Sequence, residues 1–339
     1  MGLARRGRSA LVLGALFTVA MLPGCASSND GSSGSSQSPI RHIVIVVKEN
    51  HSFDNYFNSL ETPPRQLPHC ASMTEASDCE YGSSDIPAYY RYASDFGYGN
   101  RYFTDIRGPS WPNLMMMIAG QTPLLDDPAA PTTEWTCPNY CYSFPTIGDR
   151  LSDAGVTWRN YGTKLYDPFL SIDRYATDTE HNADELRFFD DVSAGMLPSV
   201  VWVRPSAPES EHPGYDISQG EQWTVGVVNA IMRSSYWSST AILLTWDDAG
   251  DVVDHVPPPV VEREGSGVPI RYGHRVALIV ISPYTPAGTV SQVLLSHVSL
   301  LRFIEDVFQV RSLTFRDQTA NGLSEFFDFT RAARPPEIL

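Results

Sequence analysis

The chain has 339 residues, 42% of them hydrophobic and 19% charged, enough apolar material for one large core without requiring a second domain. Its formal net charge is −15, and loss of Arg5, Arg6 and Arg8 with a leader would take this to −18. Such acidity excludes a nucleic-acid partner and electrostatic recruitment to anionic lipid.

The N-terminus carries those three arginines and no acid, then an apolar run over residues 10–22. The run is too short for a membrane-spanning helix and reads as a signal peptide covering residues 1–24. Leu22-Pro23-Gly24-Cys25 has the small residue before cysteine of a lipoprotein cleavage box, although its proline makes the box imperfect. The expectation is an exported protein anchored to the membrane by lipid on Cys25, or otherwise secreted. Ser27 to Ser38 is almost wholly Ser, Gly, Asn, Asp and Gln, so residues 25–39 form a flexible tether and residues 40–339 a single catalytic domain. In an exported chain the remaining cysteines favour disulfides, Cys70 with Cys79 and Cys137 with Cys141. Neither pair has zinc-site spacing.

Ile40–Val47 (IRHIVIVV) is apolar and β-branched without alternation, as in a strand covered on both faces. Glu61–Tyr98, rich in Pro, Ser and Tyr, reads as a long excursion over the sheet edge. Helices are predicted over Phe144–Ala154 and Gln222–Arg233, strands over Ala241–Thr245 and Val276–Ile281, and a last helix over Ser299–Phe308. Interleaved strands and helices predict a three-layer α/β/α domain with a mostly parallel central sheet. Ligands in such sheets bind beyond the carboxyl ends of strands. The exits there are Lys48-Glu49-Asn50-His51-Ser52-Phe53-Asp54, Trp246-Asp247-Asp248 and Ser282-Pro283-Tyr284.

If the first two strands are neighbours, Glu49, Asn50, Asp247 and Asp248 bring three carboxylates and an amide together. Clustered carboxylates repel, and an oxygen-only set favours one hard divalent ion, Ca²⁺, Mg²⁺ or Mn²⁺. The bland alternative for each pair is solvation or helix capping.

Several longer segments share one likeness. Lys48–Phe57 (KENHSFDNYF), Gly108–Asn113 (GPSWPN) with Gly120, Glu211-His212-Pro213 with Gly220, Trp246–Pro259 (WDDAGDVVDHVPPP), and Arg271–Tyr284 with His297-Val298-Ser299 occur in this order. They resemble the motifs of the bacterial phospholipase C / acid phosphatase phosphoesterase family. The resemblance implies an alkaline-phosphatase-like fold, Glu49, Asn50, Asp247 and Asp248 as metal ligands, and Ser110 as nucleophile and further ligand. Metal coordination would activate the serine hydroxyl for attack on phosphorus, giving a phosphoserine that water hydrolyses. Ser110 also suits a helix N-cap, and a helix beginning there would offer free N–H groups to phosphate, with Asn113 adding a donor. His212 and His255 are the candidates for phosphate binding or leaving-group protonation, their roles undivided. His297 is equally consistent with a structural role.

Two positions depart from the family pattern: Asp248 stands where Glu is usual, and His51 where Arg is common. If His51 faces the site it is a titrating phosphate ligand. A sulfatase reading fails because Leu114 occupies the arginine position of that maturation signal, and no Gly-x-Ser-x-Gly elbow is present. The substrate is a phospholipid or a small phosphate ester. Phospholipase C-type diester cleavage and phosphomonoesterase action both remain open, as does a non-catalytic surface lipoprotein binding a phosphorylated ligand. The aromatic segment Tyr89 to Phe103 lines a lipid mouth or, as slightly preferred, packs within the excursion.

Overall fold

The computed structural model describes residues 38–75, 77–162, 167–250, 254–263 and 269–339. The expected signal peptide, Cys25 and nearly all of the tether lie outside the described residues. Ser38–Leu339 forms one unit. Its strands are β1 His42–Lys48, β2 Gly97–Gly99, β3 Tyr102–Phe103, β4 Trp158–Tyr161, β5 Asn182–Ala183, β6 Val200–Val203, β7 Thr240–Trp246, β8 Val260–Arg263, β9 Pro269–Arg271, β10 Leu278–Ile281, β11 Thr289–Ser291 and β12 Leu295–Ser296. The helices are α1 Phe53–Phe57, α2 Pro87–Asp95, α3 Ser110–Ala119, α4 Ile147–Asp153, α5 Leu186–Ser193, α6 Ile217–Arg233, α7 His297–Phe308 and α8 Phe315–Thr319.

Eight strands make the central sheet in the order β11-β2-β10-β7-β1-β6-β4-β5. Only β10 opposes its neighbours; the other pairings are parallel. The architecture is the expected mostly parallel α/β sheet with helices. The centre of the sheet is apolar because β1, β6 and β7 are continuous buried runs, with Ile43, Val44, Val200, Val203, Ile242 and Leu243 fully buried. No helix among the described residues is long and apolar enough to cross a membrane.

Local chemistry sets the helix starts. Helix α6 begins five residues before its predicted start because Asp216 accepts from Ser218 N at 2.9 Å, which carries the helix across Gly220. Thr146 and Asp149 form a capping box at α4, so the predicted start at Phe144 is too early by three residues. Gly120, at φ 62°, ends α3. The excursion from Glu61 contains α2 and returns as β2 inside the sheet. Its rings Tyr89, Tyr92, Phe96, Tyr102 and Phe103 are buried, so this segment packs. Both expected disulfides, Cys70–Cys79 and Cys137–Cys141, are present.

Helices α7 and α8 meet at a buried acid. Glu305 Oε2 accepts from Ser312 Oγ at 2.7 Å, whereas Oε1 accepts no hydrogen bond. Burial, and after it the Asp317 carboxylate, push Glu305 up to about 8. A carboxyl with a raised folded pKa binds its proton more tightly when folded, so stability falls as pH rises from the ordinary glutamate range through that value. Glu305→Gln keeps the shape of the protonated form. It is expected to melt with wild type at about pH 5 and above it at about pH 9 in thermal unfolding; equal melting at both would show that Glu305 does not titrate this way.

Candidate active site

Strands β1 and β7 are paired in parallel with Lys48 opposite Trp246, and Asp247 N donates to Lys48 O at 2.9 Å. Residues following the two strands therefore emerge together at the carboxyl end of the sheet. Asn50 adopts φ 56°, a left-handed conformation that asparagine tolerates. Its backbone N donates to Asp247 Oδ1 at 3.2 Å and its Nδ2 to Asp248 Oδ1 at 2.5 Å. Ser110, the first residue of α3, donates through Oγ to Glu49 Oε2 at 3.2 Å and Asp248 Oδ2 at 3.0 Å. The five residues predicted to act together are thus within one connected cluster.

The electrostatics of this cluster are unbalanced. Glu49 Oε1 accepts from Arg204 Nη2 at 3.0 Å, an ion pair buried on both sides. Asp247 Oδ2 and Asn50 Oδ1 are buried without a hydrogen bond. Burial, then the nearby Glu49 and Asp248 carboxylates, push Asp247 well above the usual carboxylate range. Burial likewise raises Asp248, to about 6, with Glu49 adding to the effect. Unsatisfied buried oxygens beside mutually repelling acids fit a hard divalent cation. His297 fixes the cluster from behind: Nε2 donates to the Asp247 carbonyl at 2.8 Å and Nδ1 accepts from Tyr102 OH at 2.8 Å. Its burial lowers it to about 4, so it is a neutral strut.

Ser110 opens onto a pocket of about 540 Å³ whose wall includes Asn50, Asp248, His212, Arg107, His274 and Asp127. His212 is exposed there, following Glu211 at φ 71°. Such a non-glycine conformation costs on the order of 1–3 kcal/mol and marks a site where geometry is held by its surroundings. Arg107 and His274 escaped sequence reasoning. Arg107 immediately precedes the Gly-Pro-Ser segment, a signal that was available. His274 is reached because β10 runs antiparallel and so brings its preceding residues, not its following ones, to this end of the sheet. Ser282, expected near the site, instead donates to Thr240 O at the start of β7.

Other expectations need correction. His51 is buried, stacked on Tyr56, with ring nitrogens 2.5 Å from Asn55 Oδ1 and 2.7 Å from Glu211 O, and it does not line the pocket. Burial lowers its pKa, so it does not supply the acid-dependent phosphate contact. Asn113 spends its amide on the preceding loop, accepting from Ile106 N at 3.0 Å and donating to Ile106, Gly108 and Pro109 carbonyls at 3.1–3.2 Å. It positions Ser110 rather than offering a phosphate donor. Pro109, not Ser110, occupies the N-cap of α3, and the Trp111 amide already donates to Asp127 Oδ1 at 3.0 Å.

His255 belongs to a separate cluster. Its Nδ1 lies 2.8 and 2.9 Å from the Asp54 carboxylate oxygens, and it is not in the pocket wall. Ligand atoms of Asp54, Asp254 and His255 lie within 4.8 Å of one another, close enough to hold a metal. Buried Arg275 reaches Asp54 at 3.1 Å, Asp254 at 3.0 Å and also Glu61, so one guanidinium is shared by three acids, and burial still raises Asp254 to about 6.

A model of the phosphoesterase family matches residues 65–311. The chain belongs to that family. It is 25% identical to hemolytic phospholipase C of Pseudomonas aeruginosa over 86% of this chain and 56% of that protein. With phospholipase C B of Mycobacterium tuberculosis the identity is 30%, covering 75% of this chain and 57% of the relative. The chain thus spans somewhat more than half the length of these relatives. Among solved structures, a protein of the alkaline phosphatase superfamily from Vibrio parahaemolyticus superposes with a TM-score of 0.52 at 12% identity, over 86% of this chain and 72% of that one. A lipoteichoic acid synthase from Listeria monocytogenes gives 0.52 at 10% identity, over 86% and 76%. These likenesses show the expected alkaline-phosphatase-like fold.

Proposed function

We propose that this phosphoesterase hydrolyses phosphoric esters, in the manner of a phospholipase C, through attack of Ser110 Oγ on phosphorus. The observation that carries the reading is the Ser110 hydroxyl held at 3.2 and 3.0 Å by Glu49 and Asp248 on the floor of a pocket walled by Arg107, His212 and His274. Glu49, Asn50, Asp247, Asp248 and Ser110 would hold one divalent ion, which when bound lowers the pKa of the hydroxyl and withdraws charge from the phosphoryl oxygens. Arg204 keeps Glu49 aimed at Ser110, and His297 holds Asp247 against the sheet.

In the first step the Ser110 Oγ–P bond forms, the bond from phosphorus to the leaving oxygen breaks, and the hydroxyl proton passes to the carboxylates beside it. Arg107 neutralises charge on the phosphoryl group. His212 gives the leaving oxygen its proton, so the product departs as an alcohol. Water then attacks the phosphoserine, His212 takes the water proton, and the Oγ–P bond breaks as the carboxylates return their proton to Ser110 Oγ. Residues 1–24 as a signal peptide, Cys25 as a lipid-bearing residue and 40–339 as the catalytic domain complete the reading of an exported, membrane-tethered hydrolase.

Exhaustive chelation is expected to abolish hydrolysis of p-nitrophenyl phosphate and phosphatidylcholine, and Ca²⁺, Mg²⁺ or Mn²⁺ to restore it. Asp248→Asn is expected to raise the ion concentration giving half-maximal rate by about tenfold or more. Full turnover by protein shown by elemental analysis to be metal-free would sink the metal assignment. Phosphate-ester binding without turnover under any ion would favour the non-catalytic lipoprotein.

A further inference from the structure

Immediately beside the reaction pocket lies a second concavity of about 470 Å³, walled by Leu124, Leu125, Pro128, Ala129 and Tyr140. Asp126 and Asp127 line both spaces, so the two adjoin. Leu125 is 72% exposed and adjoins half-buried Leu124 on the same wall, so the apolar surface here is more than one isolated side chain.

The groove is fixed relative to Ser110. Asp127 Oδ1 accepts from Trp111 N at 3.0 Å, tying the groove segment to the first turn of α3. A Cβ on Gly108 would lie 2.7 Å from the Leu125 carbonyl, so the strand of chain leading to Ser110 packs directly on the groove backbone. Tyr140 stands within the short loop closed by Cys137–Cys141. An apolar wall bound at a fixed offset to a phosphoryl-transfer residue is suited to a chain attached to that phosphate.

We propose that this groove is a substrate subsite for the apolar hydrocarbon part of the phosphoester, with Leu125 as its principal specificity-determining side chain. The inference rests on the function proposed above and deepens it: the polar pocket takes the phosphate, and the Leu124–Tyr140 groove takes the alkyl or acyl chain joined to it. Each methylene that leaves water for such a wall adds to binding, whereas an ester without a chain gains nothing from it.

The test uses butyl phosphate and octyl phosphate as monomeric probes, binding to the Ser110→Ala protein by calorimetry, beside steady-state hydrolysis of dibutyryl- and dioctanoyl-phosphatidylcholine by wild type. Octyl phosphate is expected to bind about tenfold or more tighter than butyl phosphate. Leu125→Asp should erase that preference and raise KM for the dioctanoyl lipid by about tenfold, leaving p-nitrophenyl phosphate hydrolysis within about twofold of wild type; Leu125→Met should retain the preference. Chain-length-independent binding, or equal loss on all substrates in Leu125→Asp, overturns the subsite. Leu125-dependent sedimentation with vesicles but no preference between the two alkyl phosphates would make the groove a membrane-docking patch and also overturns it. A chain-length preference in binding with no turnover of any ester would leave the groove standing and refute the hydrolase reading instead.

Discussion

Ser110→Ala is expected to lower kcat for every phosphoester by at least about 10³-fold, with a melting temperature close to wild type. The loss is large because the other hydroxyl lining the pocket, Thr104, is engaged by the Ile106 carbonyl at 3.0 Å rather than by the acidic cluster. Arg107, His212 and His274 bind or move protons, and Asn113 has its amide committed to three loop carbonyls. Stability should change little, since the hydroxyl's one proton is shared between Glu49 and Asp248, acids already crowded by one another. Steady-state kinetics beside thermal unfolding separate the two effects. Loss of activity together with loss of folding would leave the nucleophile unassigned, and retention of more than a tenth of kcat would remove it from Ser110.

Glu211→Ala should be among the most destabilising single substitutions in the chain, by about 3–5 kcal/mol, because it strands a buried cation. Lys48 Nζ lies 3.2 Å from Glu211 Oε1, with both side chains fully buried. Burial lowers the Lys48 pKa, and Glu211 is the main influence opposing it. Glu211 also accepts from Tyr56 OH and Trp246 Nε1 at 3.0 Å, and from Tyr89 OH. One carboxylate therefore joins β1, β7, α1 and α2 beneath the site. Gly220 makes this possible: a Cβ there would stand 2.2 Å from Glu211 Cγ. In denaturant unfolding, Lys48→Met combined with Glu211→Leu should cost less than Glu211→Ala alone, since it removes the charge as well as its partner. A loss below about 1 kcal/mol for Glu211→Ala would mean that Lys48 reaches water or another acid, contrary to the ion-pair account.

The meeting of Glu49, Asn50, Asp247 and Asp248 was legible because it depends on two features written locally in the chain. Unbroken apolar runs at 40–47 and 241–245 mark buried parallel strands, and the residues after such strands meet wherever the strands pair. The resemblance added Ser110, which composition and periodicity do not distinguish from a turn serine. His51, His255 and Asn113 were misplaced for one physical reason: a motif records which residues occur, not which way side chains turn. His51 points inward onto Tyr56, His255 faces Asp54, and Asn113 folds back on its own loop. Strand direction was also illegible. The apolar pattern of 276–281 is the same for parallel and antiparallel strands, so His274 could not be chosen over Ser282 from periodicity. The structural reason for Glu211 and Gly220, a close approach between residues nine apart, emerges only when α6 packs against the Lys48 end of β1.

The most direct test of the serine mechanism is the steric course at phosphorus, followed with a phosphoester made chiral by isotopic and sulfur substitution and hydrolysed in labelled water. Attack by Ser110 followed by attack of water inverts the centre twice, so overall retention is the predicted result. Inversion would mean that water attacks the substrate directly, and Ser110 would then have to be reassigned as a ligand or positioning group.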